Sequence, residues 1–120
     1  MSVDGATTEL VARALAEDLG RGDVTTDATV PNDVKAEARI IQKEPGVVFG
    51  LDVAAESFRL TRGGELQVEA EEGVWRDQIP TRVATIAGPA RGLLAGERVA
   101  LNLLGHLSGI ATLTARFVQA

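Results

Sequence analysis

A chain of 120 residues with 45% hydrophobic and 24% charged side chains is sized and composed as one globular domain. One Trp, three Phe and no Tyr are too few to stack bases, and a net charge of −5 disfavours nucleic acid or an anionic membrane as the main partner. The absence of Cys excludes disulfides and thiolate metal sites, and no signal-peptide pattern or membrane-length apolar run occurs, so a soluble, cytoplasmic protein is expected.

Thr7 or Thr8 is placed to cap a first helix over about residues 8–19, with Glu9 in its first turn. Val11, Leu15 and Leu19 form its apolar stripe, and Gly20 stops it. The polar run from Gly20 to Asp27 contains a lone Gly-x-Gly. No strand precedes it, as a dinucleotide fingerprint requires, so it reads as a structural loop. Pro31-Asn32 makes a turn, and Ala36 to Lys43 alternates as a strand with one solvated face. Pro45-Gly46 leads into a short apolar strand, Val47 to Phe49, closed by Gly50. Asp52 is the predicted cap of a second helix with Leu51, Ala55 and Phe58 on its inner side, stopped by Gly63-Gly64.

Leu66 to Ala70 and Val83 to Ala87 read as further strands. Gly88-Pro89 is expected to turn the chain so that Ala90 to Leu94 returns as another strand. Trp75 between them is read as a packing residue. Gly96 to Ala120 is predicted helical, with Ala100, Leu103, Leu104 and Leu107 at helical spacing, and Ile110, Leu113 and Phe117 resuming the stripe after Ser108-Gly109. An end as apolar as Phe117-Val118 implies a partner surface, and suggests that more chain belongs beyond Ala120. The whole is an α+β domain: a compact antiparallel sheet or small barrel-like sandwich with flanking helices.

Conventional catalytic sets are nearly absent. The carboxylates show no acid/base spacing, and the lone His106 reads as packing or hydrogen-bonding, not as a metal ligand. Charge is uneven, however. Residues 1–77 carry eight Lys or Arg against sixteen Asp or Glu, whereas residues 78–120 carry Arg82, Arg91, Arg98 and Arg116 against Glu97 alone. Neither Arg98 nor Arg116 has an acidic residue three or four positions away, so helical ion pairs do not account for them. Arg98 and Asn102 share a face apart from the Leu stripe, where Gly105 and Gly109 leave room for an approaching surface. A guanidinium in that setting suits capture of a carboxylate, and also suits an ordinary exposed Arg.

The run Leu93-Leu94-Ala95-Gly96-Glu97-Arg98-Val99-Ala100-Leu101-Asn102-Leu103-Leu104, with Leu107-Ser108-Gly109-Ile110-Ala111-Thr112, closely resembles the quinolinate phosphoribosyltransferase family. Glu17-Asp18-Leu19-Gly20, Gly22 to Thr26 and Gly46 to Leu51 are similar to earlier segments of the same family, so the resemblance covers about residues 8–120. Pro80-Thr81 departs from the Gly-containing turn expected there.

The resemblance implies an N-terminal domain related to barrel-sandwich hybrids (an α/β-hammerhead), followed in the family by an α/β barrel absent from this sequence. Residues 1–105 would be that N-terminal domain, and 106–120 an exit helix toward the barrel. The implied reaction converts quinolinate and phosphoribosyl pyrophosphate to nicotinate mononucleotide, pyrophosphate and CO2 in NAD biosynthesis. Mg2+ would accompany phosphoribosyl pyrophosphate. The family's subunits pair so that one N-terminal domain covers the neighbour's barrel, and the Arg that reaches the substrate carboxylates across the interface falls on Arg98, with Asn102 in possible support. No catalytic or metal-binding residue is expected in this segment, which alone would be inactive. Two alternatives stand beside this: a free-standing binding or assembly module, and a paralogue of the enzyme. A lipoyl- or biotinyl-type carrier is disfavoured, because neither Lys35 nor Lys43 sits on a suitable hairpin.

Overall fold

The computed structural model describes residues 3–20 and 34–119, so the predicted loop from residue 21 onward and the turn at Pro31-Asn32 lie outside the described residues. The described order is α1 (Gly5–Gly20), β1 (Lys35–Gln42), β2 (Gly46–Val47), α2 (Leu51–Leu60), β3 (Glu65–Val68), β4 (Trp75–Arg76), β5 (Thr81–Pro89) and α3 (Ala90–Gln119). The α+β reading holds. A three-stranded antiparallel sheet runs β1-β5-β3, and β2 pairs with β4 in a separate two-stranded ribbon.

The sheet has one dry and one wet face. Ile40 lies opposite Ala84, and Leu66 opposite Ile86. These four pack against Leu51, Ala54 and Phe58 of α2 and Leu93, Ala100 and Leu104 of α3. Each large apolar side chain fully buried there contributes about 1.5–3 kcal/mol. Alternation sends Glu37, Arg39, Glu65, Gln67 and Thr85 to the other face. A second cluster docks α1: Val11 and Leu15 pack on Val99 of α3, with Ala14 and Leu103 beside them.

Several local expectations are corrected. Ala90 to Leu94 is helix, not a returning strand, and Gly88-Pro89 makes no turn, because β5 runs through Pro89 directly into α3. Leu93 is buried and Leu94 exposed, and with Ala100 and Leu104 also buried the inward stripe follows the helical period from the first turn. Helix α1 begins at Gly5. Its cap is Asp4, not Thr7 or Thr8: the Asp4 carboxylate accepts from the Thr7 amide at 2.7 Å. On α2 the inner residue is Ala54, with Ala55 only partly buried.

Asp52 does not cap α2. The N-cap is Gly50 (φ 104°), and the Glu72 carboxylate accepts from the Gly50 and Leu51 amides at 2.8 and 3.1 Å. An acidic group from elsewhere in the chain thus satisfies the exposed amides at the helix start.

The predicted strand at Val47 to Phe49 forms ladder bonds only at Gly46–Val47, and side chains of α3 bond the backbone of Val47 and Phe49. Thr112 Oγ1 accepts from the Val47 amide at 2.9 Å and donates to the Val47 carbonyl at 3.2 Å. Ser108 Oγ repeats the pattern on Phe49, at 3.0 and 3.1 Å. One helical turn apart, the two hydroxyls act as a substitute strand. Thr112→Val keeps the shape and removes both bonds to buried Val47, so it should cost about 1–3 kcal/mol of unfolding free energy, measured by urea denaturation.

Helix α1 is tied to α2 by one buried carboxylate. Glu56 accepts from Arg59 Nη2 at 2.8 Å and also from Thr8 Oγ1. The hydrogen bond from Arg59 holds its carboxyl down at about 2 from an ordinary 4.5, against the opposing effect of desolvation and with help from Thr8. A carboxyl depressed in the folded state adds stability above its unfolded value and loses it as pH falls through the folded one. Stability should therefore drop between about pH 4.5 and 2. In Glu56→Gln that component of the acid transition should be missing, which thermal melts across the window would read directly.

Candidate functional site

Arg98 and Asn102 sit one turn apart on α3, both exposed. Val99 is buried against α1, and the roughly 100° step per residue of a helix turns its neighbour Arg98 outward. Farther along the same face, a Cβ built on Gly105 or Gly109 would meet nothing within 4 Å. Arg98, Asn102, Gly105 and Gly109 are all exposed along it.

Arg98 has a partner that its helix does not supply. Nη1 lies 3.2 Å from Asp18 Oδ1 on α1, with the two side chains 65% and 18% exposed. Arg82 pairs with Glu69 at 2.9 Å, and Arg116 lies 5.9 Å over the Trp75 ring. Arg91 is also engaged. Two of the four cations of the basic third, Arg82 and Arg98, thus face carboxylates distant in sequence, which helical spacing could not reveal. Trp75 is half-buried under Arg116, donates from Nε1 to Asp77 Oδ1 at 2.9 Å, and belongs to neither core cluster. His106, read as a packing or hydrogen-bonding residue, is exposed on α3 and belongs to neither core cluster, so the packing half of that reading is not met.

Arg98 lines none of the clefts given by the described residues. A cleft of about 720 Å³ runs between β1–β2 and α3, and another of about 540 Å³ lies beside α2 and β3, and neither is lined by Arg98 or Asn102. A small ligand is normally held by burying most of its surface. A guanidinium on a convex helix can supply one arm of such a site, and a second surface must supply the rest. Among the described residues no group of three or more His, Cys, Asp or Glu could hold a metal ion. No helix among them is long and apolar enough to cross a membrane. Beyond Gly109 the helix exposes Ile110, Leu113, Phe117 and Val118, the last two at 77% and 82%.

A single helix arm projecting from a two-layer α+β domain matches a known class. Residues 23–108 fit the description of the quinolinate phosphoribosyl transferase N-terminal domain, and the chain belongs to that family. It is 50% identical over 107 residues to a probable nicotinate-nucleotide pyrophosphorylase [carboxylating] of Synechocystis, covering 88% of this chain and 36% of that protein. It is 42% identical over 120 residues to the nicotinate-nucleotide pyrophosphorylase [carboxylating] of Mycobacterium leprae, covering 96% and 42%. The crystal structure of NadC from Streptococcus pyogenes superposes with a TM-score of 0.83 at 36% identity, covering 92% of this chain and 40% of that one. The chain thus spans about two-fifths of the length of the curated relatives it matches.

Proposed function

We propose that the natural polypeptide carrying this domain is a quinolinate phosphoribosyltransferase. It joins quinolinate to phosphoribosyl pyrophosphate and releases pyrophosphate and CO2, yielding nicotinate mononucleotide. Family membership over residues 23–108 is the observation that carries this reading. In it, residues 1–105 form the N-terminal unit, and 106–120 lead toward a catalytic barrel. Mg2+ would enter with phosphoribosyl pyrophosphate at that barrel, and no residue described here is assigned to it.

The role of this domain is to close a neighbour's site in a homodimer. Quinolinate is a dianion whose ring nitrogen must reach the sugar carbon as pyrophosphate departs. Holding it needs cationic donors fixed in a water-poor space before the reaction begins. Arg98 takes one carboxylate in the two-pronged geometry that its planar guanidinium allows, and Asn102 steadies the same edge. Arg98 is exposed on α3 and lines none of the clefts given by the described residues, which supports this reading, because such an arm needs a second surface. The exposed apolar end of α3 is consistent with a covering surface.

The test is to incubate the natural polypeptide with quinolinate, phosphoribosyl pyrophosphate and Mg2+ and to follow nicotinate mononucleotide and CO2. Stoichiometric appearance of both is expected. No turnover by a folded, dimeric sample would reject the enzyme in favour of a binding module.

A further inference from the structure

We infer that Asp18 is a positioning residue for Arg98, an inference that rests on Arg98 binding the anionic substrate. The Glu17-Asp18-Leu19-Gly20 segment carries no chemistry of its own, yet the fold brings it 80 positions across the chain to Arg98. The approach is built, not incidental. Val11 and Leu15 are buried against α3, and Asp18 follows Leu15 by three positions, so burying Leu15 aims the Asp18 carboxylate at the same helix. The residue it meets there adjoins Val99, the α3 residue in that cluster. Both ends of the ion pair are thereby fixed by apolar packing one turn or less away.

The contact is also economical. Among the described residues Arg98 gives one hydrogen bond, from Nη1 to Asp18 Oδ1, and a guanidinium has five N–H donors in a rigid fork. One point of attachment restricts the long side chain while leaving donors on the other edge for a carboxylate. An exposed Arg otherwise loses considerable rotamer freedom on binding, and the tether removes part of that loss beforehand. Asp18 is far less exposed than Arg98, so it is held as a fixed anchor while the guanidinium stays available.

The competing idea is that Asp18 occupies Arg98 and opposes the dianion. The two make opposite predictions. In the natural polypeptide, Asp18→Ala should raise the KM for quinolinate roughly three- to tenfold, between the value of an exposed ion pair and that of a charge-assisted hydrogen bond, with kcat changed less. Asp18→Glu should recover part of the loss. The KM for phosphoribosyl pyrophosphate and the thermal midpoint should stay near wild type, whereas a merely structural role would move the midpoint. In an Arg98→Ala background, Asp18→Ala should have no further effect on the KM for quinolinate. A lower KM in Asp18→Ala, or an undiminished effect in the Arg98→Ala background, would overturn the inference while leaving Arg98 as the ligand contact. An Arg98→Ala variant with wild-type KM would remove the functional reading and this inference together.

Discussion

Arg98→Ala in the natural polypeptide should lower kcat/KM for quinolinate about 30-fold to several-thousand-fold, equivalent to about 2–5 kcal/mol. The size follows from where the group would act. Exposed on α3, a guanidinium is worth little, because water screens it. In the proposed dimer a neighbouring subunit would close over that face, the same group would meet a dianion in a drier space, and losing it would leave a buried carboxylate uncompensated. Arg98→Lys separates charge from shape. An ammonium keeps the charge but loses the planar fork, so its loss should fall between wild type and alanine. Steady-state kinetics of Arg98→Ala within about threefold of wild type would leave no room for such a contact.

Gly92→Ala should destabilise the fold. The first turns of α3 cross the end of α2 so closely that a Cβ on Gly92 would lie 2.4 Å from the Thr61 carbonyl oxygen and 2.5 Å from that of Arg62. Those are backbone atoms, so no side-chain rotation relieves the overlap. The helices must part, which disturbs the Thr61 hydroxyl's 2.7 Å hydrogen bond to the Gly92 carbonyl and the Leu93 and Phe58 packing beyond it. Overpacking of this kind costs about 1–3 kcal/mol or more, and alanine's better helix propensity returns about 1. Since the overlap is with backbone the cost falls at the upper end, so a net loss of about 1–2 kcal/mol, or a thermal midpoint lower by roughly 3–12 °C, is expected. Gly105→Ala in the same helix should go the other way. Its Cβ would meet nothing within 4 Å, so about 0.5–1 kcal/mol of helix propensity is gained without overlap. Urea denaturation of the two variants side by side tests both signs.

How much of this was legible in the sequence depends on how local the determining contact is. The alternation in β1, the Val11–Leu15 stripe and the Ala100–Leu104 stripe were readable because burial on one face imposes a period on the residues themselves. The start of α3 was misread because Gly88-Pro89 and Gly92 carry the composition of a turn. Here Pro89 ends a strand against a helix, and Gly92 permits two backbones to approach, and composition does not separate those uses. The cap of α2 was misassigned to Asp52 because Glu72 lies some twenty residues downstream. For the site, Arg98 stood out as a cation without a helical partner, and Asp18 could not be found that way. Its position on the Val11–Leu15 face was visible, but nothing in the sequence says that this face docks beside Arg98. Ser108 and Thr112 belonged to the run that marks the family, and their work as a surrogate strand for Val47 and Phe49 emerged only from the tertiary contact.

The central claim is that this domain completes its neighbour's site through Arg98, and subunit mixing tests it most directly. An Arg98→Ala preparation would be combined with a second preparation inactivated in the remaining part of the natural polypeptide, under conditions that exchange subunits. The account predicts that activity strongly lowered in one preparation and absent from the other rises on mixing, because each mixed dimer assembles one complete site. Mixed dimers confirmed by native mass measurement but without that rise would contradict it.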